Sequence, residues 1–223
     1  MTTFRQSKSY DLLMGLPLML WFGGAAVKLR PGLAALGGEI LAGRASLHEG
    51  LLFVALCASL AFNLLLVWLV MVRTVPVARA SGLTGRMLGI IGAFLGVAIL
   101  YLPPAVPPPG WLLVSDLLLI GGFAGACVVL ARLGRAFAIL PEARILVTAG
   151  PYRFVRHPLY GAEIIAMLGN VILFRQPWAG LLAVMVIALQ VARSHYEEQV
   201  LRNAFPEYAA YAARTKRFIP GII

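Results

Sequence analysis

The 223-residue chain is 61% hydrophobic and 13% charged, and it carries a formal net charge of +10. At a mean hydropathy of +0.87, its apolar surface exceeds what one small core can hide, so lipid is the matching solvent and an ordinary soluble domain is excluded. The basic residues cluster between the apolar runs, so the charge reads as a topology signal and not as a nucleic-acid footprint.

A bilayer core about 30 Å thick needs about 20 apolar helical residues. Such runs fall at 10–27, 50–72, 87–102, 111–131, 159–174 and 178–192. They predict an all-α polytopic membrane bundle of about six spans. The first run follows Arg5 and Lys8 as a signal peptide would, but later spans make it a retained first span. The stretch 33–47 is expected as a short interfacial helix. Cys57 and Cys127 sit inside apolar runs and are expected as buried thiols, not as a disulfide or zinc framework. The uncharged, Pro-rich loop 103–110 fits an outer connection. Only Arg175-Gln176-Pro177 separates the last two runs, which predicts a tight antiparallel hairpin with Pro177 in the first turn of the final span. A C-terminal helix follows on the cytoplasmic side. Residues 1–131 thus read as four spans, and 132–223 as the core that carries chemistry.

Placing both termini in the cytoplasm puts 15 of the 19 lysines and arginines inside. Only Lys28, Arg30, Arg44 and Arg175 remain outside. The bias sets the orientation. It also brings 132–158 and 193–223, the two long polar segments, to one membrane face.

The first of these segments reads Leu146-Val147-Thr148-Ala149-Gly150-Pro151-Tyr152-Arg153-Phe154-Val155-Arg156-His157-Pro158-Leu159-Tyr160. Gly150-Pro151 marks a turn. Pro158 suits a first helical position, with His157 at the cap. A helix start with Arg153 and Arg156 nearby suits an anion. The plain alternative is a basic, aromatic interface belt, with His157 a simple cap. In the second segment Arg193 and Glu197 share a helix face, and Glu198 lies about 100° away. Here the plain alternative is a solvated helix end with Arg193 snorkelling to the headgroups. Glu163 falls within a span, where an acid is a functional candidate with an arginine as its expected partner. Asp116 is expected at the outer interface. His48, His157 and His195 are scattered, which argues against a metal site.

Taken together, Gly150-Pro151-Tyr152, Arg156-His157-Pro158-x-Tyr160, Arg193-x-x-x-Glu197-Glu198, Phe205-Pro206-x-Tyr208-x-x-Tyr211 and Arg217-Phe218-Ile219-Pro220 resemble the isoprenylcysteine carboxyl methyltransferase family, which is related to the phospholipid N-methyltransferases. The resemblance covers roughly 130–223. It implies S-adenosylmethionine as methyl donor. It also implies a lipidic or prenylated acceptor drawn from the bilayer. By the same resemblance Arg144, Ile145, Leu146, Val147, Tyr152, His157, Pro158, Leu159, Tyr160, Glu197 and Glu198 contribute to the cofactor site. Arg193 and Glu197 stand at the reaction centre, with Arg193 facing the acceptor. The chain departs from the family where Gly161 directly follows Tyr160. A carboxylate acceptor would need an arginine and no base. An amine would need a proton acceptor, for which Glu197, Glu198 and His195 are available. An NADPH-dependent isoprenoid or sterol reductase is the competing enzyme reading, and a transporter or assembly factor the non-enzyme one.

Overall fold

The computed structural model describes residues 7–80, 82–103, 105 and 107–221. Arg5 of the charge pattern, and positions 104 and 106 of the Pro-rich loop, lie outside them. In chain order the helices are α1 (Lys8–Lys28), α2 (Arg30–Leu41), α3 (Leu47–Val72), α4 (Leu83–Phe94), α5 (Pro109–Leu133), α6 (Pro158–Phe174), α7 (Pro177–Ala204) and α8 (Tyr208–Arg214). Two short strands, β1 (Ala78–Arg79) and β2 (Glu142–Ala143), pair antiparallel between the helices.

Among the described residues, five helical stretches are long and apolar enough to cross a membrane: 8–41, 47–72, 83–101, 109–136 and 177–204. The shorter apolar helix α6 accompanies them. The all-α polytopic bundle of the sequence therefore stands. Large apolar side chains such as Leu20, Trp68 and Val184 are exposed on its outside, as contact with lipid tails requires.

The segment after the first span departs from expectation. Instead of a separate interfacial helix over 33–47, α2 continues α1 after the single residue Leu29, whose backbone remains in the right-handed helical region. Both pack along α3, with Gly15 facing Val70, Gly32 facing Leu56 and Gly37 facing Phe53. At about 1.5 Å per residue the 34-residue rod is about 50 Å long, more than the hydrocarbon core. A capping box formed by Ser46 and Glu49 starts α3.

The tightest helix pair is α5 with α6. A Cβ at Gly122 would lie 2.5 Å from the Ala166 backbone nitrogen, and one at Gly169 3.0 Å from the Ser115 carbonyl oxygen. Ser115 Oγ donates to the Gly169 carbonyl at 2.8 Å. Small residues let two backbones approach in a solvent that supplies no hydrophobic drive between helices. By contrast Gly161 meets nothing within 4 Å; the close approaches of α6 lie at Ala166 and Gly169. The turn from α6 to α7 is as short as predicted. Arg175 adopts a left-handed conformation, φ 44°, and Pro177 opens α7.

One further expectation changes: Cys57 is exposed on the outside of the bundle. Asp116 is buried within the protein, with its Oδ2 2.6 Å from His48 Nδ1. Glu163 takes a hydrogen bond from Gln190 and feels the charge of Arg193.

At the basic end of the bundle the connecting segments knit together. Beside the β1–β2 pair, Thr74 N donates to the Arg135 carbonyl at 2.9 Å. The chain at Val155 pairs in parallel with Lys216. Arg156 N donates to the Lys216 carbonyl at 2.8 Å and His157 N to the Arg217 carbonyl at 3.0 Å. The last described residues thus form a strap across the start of α6.

Candidate active site

Under that strap lies an open cavity of about 830 Å³ including its mouth. Its walls come from the segment 133–147, the turn at Tyr152, the start of α6, the C-terminal half of α7, and α8. Of the residues singled out in the sequence, Arg144, Ile145, Leu146, Val147, Tyr152, His157, Leu159, Tyr160, Arg193 and Glu197 all line it. Pro158 and Glu198 are not among the lining residues. Pro158 serves as the first residue of α6.

Of the two adjacent acids on α7, Glu197 is the one that lines the cavity. Its Oε1 accepts from the Tyr160 hydroxyl at 2.7 Å and from Arg193 Nε at 2.8 Å. Its Oε2 has only His157 Nδ1, 3.8 Å away. Half of this carboxylate is therefore still available to a donor. Arg193 also donates from Nη2 to the Ile139 carbonyl at 2.8 Å and stands 5.2 Å from the centre of the Tyr160 ring. Its Nη1 makes no hydrogen bond among the described residues.

Glu198, one residue on, points about 100° away around the helix and meets a different environment. Arg156 Nε donates to it at 2.8 Å, and Arg217 grips both oxygens, Nε at 2.9 Å and Nη2 at 3.0 Å. His157 Nε2 lies at 3.2 Å. Both Glu198 oxygens are thus occupied by the protein's own donors, which tie α7 to the start of α6 and to the strap. Arg217 also reaches His195 Nε2 at 2.8 Å, and His195 is not among the cavity residues. With Arg217 held, Phe218 packs on the His157 and Tyr160 rings at 5.6 and 6.5 Å. Those two rings themselves stack at 5.1 Å.

A second acidic centre, absent from the sequence reading, fixes the other wall. Asp11 of α1 is buried and accepts from Arg73 Nε at 2.9 Å and Arg144 Nη2 at 2.7 Å. Arg144 also donates to Glu142 at 2.6 Å and to the Thr74 carbonyl. A lone acid at the edge of a span gives no periodic or spacing signal. Only the contact with a residue 133 positions later reveals it. Tyr208 and Tyr211 were also missed as lining residues. Their three-residue spacing in a helix after Pro206 was the signal available.

Burial pushes the Tyr211 phenol up to about 12, and those of Tyr152 and Tyr208 higher still. All three remain protonated donors at neutral pH. Tyr211 uses its hydroxyl on the Tyr152 carbonyl at 2.7 Å. The Tyr208 hydroxyl and Arg144 Nε are buried without a hydrogen-bond partner. Orphaned polar atoms in a cavity wall call for a ligand or water.

Beside this polar cavity lies a larger apolar one, about 1780 Å³ including its open side. Aromatic and aliphatic residues of α1, α3 and α4 form most of it, among them Trp21, Phe62 and Phe94. With Phe123 of α5, all four N-terminal spanning stretches contribute to its wall. Ala138, Leu159 and Arg193 belong to the walls of both spaces.

The family model described as phospholipid methyltransferase matches residues 111–208. The chain is similar to the cobalt-zinc-cadmium resistance protein CzcN of Cupriavidus metallidurans, 38% identical over 112 residues, which is 48% of this chain and 51% of that one. It is also similar to the nickel-cobalt-cadmium resistance protein NccN of Alcaligenes xylosoxydans xylosoxydans, 33% identical over 112 residues, 48% of this chain and 52% of that one. The match thus spans about half the length of each of these curated relatives.

Proposed function

We propose that the chain, whose residues 111–208 match the phospholipid methyltransferase family model, is a membrane methyltransferase that moves a methyl group from S-adenosylmethionine to a lipidic acceptor, the carboxylate of a prenylated cysteine or a similar molecule. One observation carries the reading: the polar cavity and the apolar pocket share a wall whose one charged residue is Arg193. A water-soluble donor and a lipid-borne acceptor need such a junction.

The cavity residues suit the donor. Glu197 Oε2 matches its ammonium or its ribose hydroxyls. The orphaned Tyr208 hydroxyl and Arg144 Nε are donors matched to its carboxylate. Tyr152 and Tyr160 offer aromatic faces in the same wall. S-adenosylmethionine, when bound, supplies a methyl carbon made electrophilic by its sulfonium.

The chain's own work is then alignment and exclusion of water. Phe218 and the Arg217–Glu198 clamp close the strap side. Arg193, fixed by Glu197 and the Ile139 carbonyl, offers Nη1 to the acceptor. A carboxylate held there is already a nucleophile at neutral pH and needs no base. The cavity end faces the cytoplasm in this reading, on the strength of the 15 of 19 basic residues gathered at that side.

The test is transfer of labelled methyl from S-adenosylmethionine into total membrane extract by the purified protein in nanodiscs. We expect label in a lipid-extractable, base-labile ester. Label in a base-stable amine would replace the carboxylate with a phospholipid-type acceptor. Tight binding of the donor with no transfer to any extract component would overturn the assignment.

A further inference from the structure

The apolar pocket has a second polar end. Its Arg193 end is fixed through α4: Gly92 faces the Arg193 side chain, and Phe94, two residues on, stacks on Phe22 of α1 at 6.2 Å. Lys28 lines the same pocket, six residues beyond Phe22 and so about 9 Å further along the helix. What stands across from it follows from the packing of α1 and α2 on α3. Gly15 faces Val70 and Gly32 faces Leu56, which puts the level of Lys28 at Ser59. Ser59 and, one turn on, Asn63 line the pocket as well. Asn63 is 9% exposed; its Nδ2 donates to the Ser59 carbonyl at 2.8 Å, and its Oδ1 has no hydrogen bond among the described residues. The Ser59 hydroxyl makes none either. Lys28 has no hydrogen bond or ion pair among the described residues. The one acid among the described residues of the pocket wall, Glu163, lies at the Arg193 end. A lysine at the end of a span would simply snorkel to the headgroups, but the helical rod continues through residues 29–41 beyond Lys28. Polar groups left open in a membrane-embedded wall mark a place for a ligand.

We propose that Lys28, Ser59 and Asn63 form a subsite for the phosphate of an anionic phospholipid whose acyl chain lies in the apolar pocket. The three side chains offer an ammonium, a hydroxyl and an amide N–H, a donor set suited to phosphate oxygens. Among the described residues no acid stands beside Lys28 to receive the ammonium of a zwitterionic headgroup, so heads of net negative charge are favoured. Basic pockets between membrane helices take such heads. The rest of the wall, with Trp21, Phe62 and Phe94, suits an acyl chain and commits the site to a lipid and not to a free phosphate ion. Held by its head at Lys28, the lipid turns its chain and not its head toward Arg193. It is a resident of the pocket, distinct from the methyl acceptor, and the inference stands apart from the methyl-transfer reading.

The full chain, purified in a neutral detergent, is titrated with dioleoyl phosphatidylglycerol, with dioleoyl phosphatidylcholine and with inorganic phosphate, and bound ligand is read by native mass spectrometry. The two lipids share acyl chains and phosphate and differ in net charge. Phosphatidylglycerol is expected to bind about tenfold tighter than phosphatidylcholine, the range for a hydrogen bond to a charged group, and inorganic phosphate is expected not to bind. Lys28→Gln should shrink the gap below about threefold, because the charge is gone. Arg30→Gln removes an exposed charge two residues on that does not line the pocket, and should leave the gap intact. Ser59→Ala alters no charge and should weaken phosphatidylglycerol about threefold or more, the scale of one neutral hydrogen bond; it stands in if Lys28→Gln fails to fold. Equal affinity for the two lipids overturns the inference, as does inorganic phosphate binding as tightly as the lipid. An equal loss in Arg30→Gln and Lys28→Gln overturns it too, since that marks a diffuse surface attraction, and so does unaltered phosphatidylglycerol affinity in Ser59→Ala.

Discussion

Glu197 and Glu198 are neighbours in the chain and opposites in the fold. Glu198 is gripped by Arg156, Arg217 and His157, and its oxygens are fully committed to joining α7, the start of α6 and the C-terminal strap. Glu197 leaves one oxygen facing a cavity. The Asp11 centre, with Arg73 and Arg144, resembles the Glu198 clamp. A charge whose partners all come from the protein holds structure, and one with capacity to spare is placed for a ligand.

Substitutions can break this contrast. Glu197→Ala should weaken S-adenosylmethionine binding at least about 100-fold by calorimetry, the equivalent of about 3 kcal/mol, with a smaller loss of stability than Glu198→Ala, because Arg193 loses its counter-charge but keeps the Ile139 carbonyl. A loss of stability larger than that of Glu198→Ala would move Glu197 into the structural class. Glu198→Ala should do the reverse, destabilising the fold by about 3 kcal/mol because buried cations lose their counter-charge. Melting in detergent would read this, and limited proteolysis should show the strap released. If Glu198→Ala melts normally yet fails to bind the donor, the two acids have been assigned the wrong way round. Asp11→Asn should cost about 2 kcal/mol, with a several-fold weaker donor affinity that follows from Arg144 losing its hold. Tyr211→Phe removes one neutral hydrogen bond to the Tyr152 carbonyl and should lower stability by about 1 kcal/mol, with donor affinity within twofold or so.

The spans were readable because lipid forces the backbone to satisfy itself within each helix, so run length alone locates them. The phase of α7 was half readable. Helical geometry separates Glu197 from Glu198 by about 100°, but only packing decides which of the two meets the cavity. Longer-range features left no mark in the sequence. The pairing of Val155 with Lys216, the grip of Arg217 on Glu198 and the reach of Arg144 to Asp11 join residues far apart in the chain. The α2 segment was misjudged because its basic flanks imitate a surface helix, whereas its glycines fit it against α3. The phospholipid methyltransferase match at 111–208 overlaps the region where the motifs were legible.

Gly122 and Ala166 approach so closely that no atom fits between them, and this makes the bundle mechanically lopsided. Helices α5 and α6 must travel as a single rigid spar. On the other side of the apolar pocket, Trp21 of α1 and Phe94 of α4 meet only through their side chains, in edge contact at 5.2 Å. On the proposed reading, an incoming hydrocarbon chain is expected to pass on that flank, where rings and not backbones are in contact.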